Sequence, residues 1–171
     1  ALFRAAFPRE ADPFTLLHAA RAIAAFERTL VTRDRFDEFQ SGRYSALSTK
    51  EKEGLRLFMS YGCTSCHNGP LVGAKQFQKL GVVKPYETAD LGRAEVTKKE
   101  GDQHVFKVPA LRNVAMTAPY FHDGSVATLD DAVDKMAWHQ LGMKISASDR
   151  EAIVAFLHAL SDISRSEKER S

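Results

Sequence analysis

"GCTSCHNGP", residues 62–70, holds both cysteines of a 171-residue chain, with a histidine directly after the second. C-x-x-C-H is the attachment spacing of a covalent haem. Two thiols three positions apart can each add to a vinyl group on one porphyrin edge, and the next residue turns an imidazole toward the iron. Cys63 and Cys66 are the candidate thioether donors and His67 the candidate proximal ligand. A zinc site is the first rival, with Cys63 and Cys66 recruiting two of His104, His122 and His139. Those histidines lack zinc-finger spacing, and a structural zinc leaves the long loop after the motif unexplained. A redox dithiol wants a strand–motif–helix context that is missing. A disulfide this close closes a very small ring and stabilises little. Two incidental cysteines beside a histidine are the bland reading.

Composition narrows the classes. At 44% hydrophobic and 27% charged, the chain has the material for one ordinary globular core. The net charge of +2 comes from basic residues spread along the chain, so there is no basic stripe to bind nucleic acid. No run approaches the roughly 18 apolar residues of a membrane span. The opening "ALFRAAFPREADPF" lacks the basic start and apolar stretch of a signal peptide. The expectation is a cytosolic chain, or a mature or trimmed exported one.

The periodicity is helical. Asp12 and Pro13 read as an N-cap and first turn, with Phe14, Leu17, Ala20, Ala24 and Leu30 repeating at helical spacing to about Val31. A short charged helix through Phe36 and Phe39 follows. Ser48 and Glu51 form a capping box for a helix reaching about Tyr61, so the cysteine motif lies just past its C-terminal end. Thr128 with Asp131, and Ser146 with Asp149, open two more helices. Residues 68–127 are rich in Gly and Pro, show no period and no useful strand alternation, and read as a stretch ordered by a large apolar cofactor.

A second axial ligand decides between electron transfer and chemistry at the iron. Met59 is too near the motif to reach round the ring. Met116 lies in the irregular stretch, and Met136 sits on a helix whose apolar face can lean over the distal side. Each is otherwise ordinary core filler.

Six stretches in family order resemble one family: "AIAAFERTL" (22–30), "ALSTKEKEGLRLF" (46–58), "GCTSCHNGPLVGAKQF" (62–77), "FKVPALRN" (106–113), "TAPYFHDGS" (117–125) and "TLDDAVDKM" (128–136). The chain resembles the C-terminal, electron-transfer half of the bacterial dihaem cytochrome c peroxidases. The resemblance implies His67 as proximal ligand and Met136 as distal ligand. Tyrosine stands at the latter position in the related enzyme that matures methylamine dehydrogenase. It also implies a calcium ion at the domain interface, with backbone carbonyls mapping to Thr117 and Pro119. Two departures accompany it. The chain has one haem motif where the family has two, and Ala74 stands where glycine is common, which reads as neutral.

The expected fold is mostly α, a cytochrome c-type helical domain around one covalent haem c, with an N-terminal helical arm. The arm, residues 1–45, belongs to or packs on a missing N-terminal haem domain. Residues 46–163 form the haem domain and 164–171 a solvated tail. The function implied is electron transfer as the electron-accepting half of a peroxidase acting on hydrogen peroxide, the chain alone not being peroxidatic. A stand-alone monohaem electron carrier is the alternative. The implied partners are a small donor (a cytochrome c or a copper protein) and the peroxidatic haem domain, with homodimerisation allowed. The implied compartment is the bacterial periplasm. Lys107 and Arg112 read either as haem propionate partners or as exposed cations, His122 as a structural or haem-side histidine, and Trp138 as core.

Overall fold

The computed structural model describes residues 1–163, so the expected tail at 164–171 lies outside the described residues. Two compact units divide the chain, residues 1–32 and a second from Arg33 onward. Residues 33–45, grouped by sequence with the N-terminal arm, fall in the second unit.

The first unit holds α1 (Leu2–Ala6) and α2 (Leu16–Glu27). Thr15, not Asp12, caps α2: its side chain accepts from the His18 backbone N–H. Asp12 instead closes a turn by accepting from the Phe14 N–H at 3.0 Å, which delays the helix by a turn. The apolar repeat of α2 faces outward. Leu17, Ile23 and Phe26 are all more than half exposed.

The second unit is built on a helix pair. α4 (Thr49–Ser60) packs along α7 (Ala147–His158). At the point of closest approach Gly54 abuts the Ala152 carbonyl, where a Cβ would sit 1.9 Å from the oxygen. Phe156 is the pivot of the core, with Phe58 at 5.5 Å and Phe36 edge-on at 5.3 Å between ring centroids. α3 (Arg35–Gln40) brings Phe36, and α6 (Leu129–Leu141) adds Leu129 and Ala132 to the same core. The capping signals behave as read. Ser48 and Glu51 exchange both bonds of a capping box, and Thr128 and Ser146 cap α6 and α7.

The stretch 68–127 departs from expectation. It has hydrogen-bonded elements of its own: the antiparallel pair β1 (Phe77–Lys79) and β2 (Val105–Lys107), the short α5 (Ala94–Thr97) and two 3-10 turns. It also supplies core residues, Val72, Leu111, Tyr120 and Val126. Alternation failed to reveal β1 and β2 because three-residue strands are too short to show a period of two. The expectation of a mostly helical fold stands.

Candidate functional site

α4 delivers the cysteine motif. Gly62, just past its C-cap, adopts φ 86°, a left-handed conformation that turns the chain off the helix axis. Cys63–Ser65 then form one 3-10 turn, and the backbone N–H groups of Cys66 and His67 both donate to the Cys63 carbonyl, at 3.3 and 2.9 Å. Three of the four expected haem-binding residues therefore sit on a single turn. The two thiols are unbonded and half-buried. Burial pushes the Cys63 thiol up to about 11, so it is protonated at neutral pH. Burial also pushes the His67 imidazole down, which keeps it neutral. Its Nδ1 is buried without a hydrogen-bond partner.

That donor set fits haem c. A metal-ligating imidazole must be neutral, and its second ring nitrogen is oriented by the protein behind it. A neutral imidazole whose Nδ1 faces the 72–74 loop, next to two thiols that are not in a disulfide, has the chemistry the C-x-x-C-H spacing predicts. The rival zinc set does not assemble. Among the described residues no three or more His, Cys, Asp or Glu side chains are placed to hold a metal ion. His104 Nδ1 lies 3.1 Å from the Asp90 carbonyl, His139 Nδ1 lies 2.9 Å from the Lys84 carbonyl, and His122 stacks on Phe106 at 4.1 Å.

A wall backs the imidazole. The pairing of β1 with β2 does not stop at Phe77 and Lys107 but continues toward the motif. Val108 N donates to Gln76 O at 2.9 Å, Ala74 N to Val108 O at 3.1 Å, and Leu111 N to Leu71 O and Val72 O at 3.2 and 3.3 Å. Inside this ladder Val72, Gly73 and Ala74 all have positive φ, 50°, 131° and 63°. A β-branched residue at positive φ is a backbone outlier, and such strain persists only where surrounding bonds over-determine it.

The other expected residues fall as follows. Met136 is half-buried on α6, one helical turn beyond Ala132 on the stripe that begins at Leu129. Met116 is also half-buried, at the end of a 3-10 turn, so burial does not separate the two. Met59 is 59% exposed on α4. Thr117 and Pro119 lie exposed on the loop before α6. Trp138 is a correction: it is not core but a surface ring with Lys84 and Lys144 over it at 5.6 and 5.8 Å.

Arg112 is the residue that sequence reasoning misjudged. It is no exposed cation: its side chain is 9% exposed and ion-paired to Asp34, which is fully buried, and to Asp37 at 2.7 Å. Its Nε donates to the Pro70 carbonyl at 3.0 Å. The signal for its partners was present, since Asp34 and Asp37 at the start of α3 have capping-box spacing and make that box.

Over 152 residues the chain is 49% identical to the cytochrome c551 peroxidase of Nitrosomonas europaea, covering 87% of this chain and 46% of that protein. The cytochrome c551 peroxidase of Pseudomonas aeruginosa is 46% identical over 165 residues, 93% of this chain and 48% of its own. The chain is a homologue of the bacterial dihaem cytochrome c peroxidases. It spans about half the length of the curated relatives it matches. A crystal structure of a MauG-like protein associated with microbial copper homeostasis superposes at a TM-score of 0.82 with 28% identity, over 95% of this chain and 58% of that one. No family model matches the chain. The MauG-like protein thus shares the helical fold, and the match to each peroxidase covers enough of the chain to include the stretch that carries the cysteine motif.

Proposed function

We propose that this chain carries electrons through one covalently attached haem c, as the electron-accepting half of a cytochrome c peroxidase that reduces hydrogen peroxide. The observation that carries the reading is the single turn holding Cys63, Cys66 and a neutral, half-buried His67, in a chain 49% identical to half of a cytochrome c551 peroxidase. Cys63 and Cys66 would tether the group, and His67 and Met136 would hold its iron. Haem c supplies a one-electron couple, raised in potential by a methionine ligand. The residues of the chain do the rest. The 3-10 turn fixes the spacing of thiols and imidazole, burial keeps the imidazole unprotonated, and the loop 72–74, paired to 108–111, limits its movement.

A second, peroxidatic haem domain is the acceptor. Residues 1–32, the part of the expected 1–45 arm that forms a unit of its own, belong to it or pack on it, and the outward apolar face of α2, with Leu17, Ile23 and Phe26 exposed, supports that role. A small cytochrome c or copper protein is the donor, and pairing of two copies fits the family. The carbonyls of Thr117 and Pro119 contribute to a calcium site completed by the partner domain. No helix among the described residues is long and apolar enough to cross a membrane. The bacterial periplasm, where haem is joined to such motifs, is the compartment.

Denaturing mass spectrometry tests the core of this reading. The chain is expected to retain the mass of one haem, lost when Cys63 and Cys66 are both changed to serine. A chain at bare polypeptide mass after expression with haem-attachment machinery overturns it. Two haems in the native polypeptide are expected for the peroxidase, and one alone would favour the stand-alone carrier.

A further inference from the structure

We propose that Arg112 is a positioning residue for His67, holding the strained loop 70–74 against the back of the proximal imidazole. The inference rests on the reading of His67 as an iron ligand.

The geometry runs in one line. Arg112 is anchored at one side by Asp34 and Asp37 at the N-terminus of α3, and at the other by its Nε bond to Pro70 O. Asp34 is fully buried, so the guanidinium is held by a carboxylate that cannot turn to water. Pro70 begins the segment whose next residues, Leu71 and Val72, accept from Leu111 N. Three positive-φ residues follow, at 72 to 74. Gly73 N donates to Asn68 O at 2.9 Å, which folds this segment back onto the residue after His67. A Cβ at Gly73 would sit 3.2 Å from His67 Nδ1. The strained loop is thus the floor under the imidazole, and it is secured on the Arg112 side by a bidentate arginine rather than by more strand. Arginine suits that role because its planar fork serves two carboxylates while Nε stays free for a carbonyl.

A merely structural ion pair and a positioning residue predict different things. Asp34, Asp37 and Arg112 together carry a net charge of minus one. Arg112→Gln makes it minus two, leaves a buried carboxylate unpaired, and favours the oxidised, more positive site, lowering the potential. The double variant Asp34→Asn with Arg112→Gln restores minus one and removes the unpaired buried charge, so it folds, yet it still lacks the bond to Pro70. Arg112→Lys keeps the charge but offers a single ammonium where three directed bonds were made.

The test uses the full chain with haem attached. Redox titration reads the midpoint potential, and the hyperfine-shifted haem methyl resonances of the oxidised protein read the orientation of the His67 ring. The double variant and Arg112→Lys are each expected to change the methyl pattern and shift the midpoint, with thermal stability of the double variant close to wild type. A wild-type methyl pattern and potential in either folded variant overturns the proposal and leaves Arg112 as a structural tie. Failure of the wild-type chain to hold covalent haem is a different result, and overturns the reading of the site instead.

Discussion

Gly73 and Pro109 approach so closely that a methyl group on the glycine would lie 2.1 Å from the Pro109 carbonyl oxygen. Its φ of 131° also lies where side chains other than hydrogen are strained. Both facts point to one constraint: the chain behind His67 has room for backbone alone. Gly73→Ala is expected to cost on the order of 3 kcal/mol of stability from strain and overpacking together. Because the same methyl would press on His67, haem attachment should fall with it. Normal haem loading and an unchanged melting temperature in this variant would show that the wall can give way.

The neighbouring Ala74 leads to the opposite expectation. Read from sequence it is a neutral departure from glycine, but its φ of 63° is left-handed, where a Cβ crowds the following carbonyl. Ala74→Gly relieves that crowding and gives back part of the gain as unfolded-chain entropy. The expected result is a stabilisation of about 0.5–1 kcal/mol, read as a higher denaturation midpoint at unchanged slope. A destabilised variant would mean that the Ala74 methyl makes packing worth more than the strain.

The same contrast marks what sequence could reveal. The Ser48–Glu51 capping box, the caps at Thr128 and Ser146 and the C-x-x-C-H turn are local, and each was legible because a few adjacent residues determine it. The ladder between 71–76 and 108–111 was not. It pairs residues some 30 to 40 apart through backbone groups, as in Ala74 with Val108 and Leu111 with Leu71, and no side-chain period records such pairing. The stretch 68–127 therefore looked unstructured although its own ladder orders much of it. Arg112 was misread for the same reason: only the fold shows that Asp34 waits, buried, at its end.

Acid should expose the Glu51 site. Burial alone would raise the pKa of Glu51, but its bonds to Arg35 and to the Ser48 backbone N–H outweigh that and hold it below its ordinary value. A carboxyl depressed on folding contributes stability above its unfolded pKa, and loses it as pH falls through the lower folded value. Glu51→Gln is expected to cost about 1–3 kcal/mol near pH 7 through the lost charged bonds and weakened cap. The gap between variant and wild type should narrow below about pH 4, where the unfolded carboxyl is protonated. A gap that stays constant from pH 7 to pH 3 would mean that the carboxylate charge contributes nothing here.

The distal ligand separates a carrier from a catalyst. Met136 and Met116 are both half-buried, so solvent access does not choose between them. Placement does favour Met136. It continues the inward stripe of Leu129 and Ala132 on a helix capped at Thr128 and stopped by Gly142, so its position is fixed by a rigid element. Met116 ends a single 3-10 turn, which holds a side chain less firmly. The hypothesis is that the Met136 thioether ligates the iron opposite His67. A soft, neutral sulfur favours the reduced state, so Met136→His should keep six ligands and lower the potential by an amount on the order of 100 mV or more. Met136→Ala should leave one position open to water or peroxide and abolish the weak near-infrared sulfur-to-iron band of the oxidised protein. Met116→Ala should leave that band in place, because its loss removes only packing. Survival of the band in Met136→Ala together with its loss in Met116→Ala would transfer the ligand to the 3-10 turn. The closed, high-potential site would then be built from the irregular stretch rather than from α6.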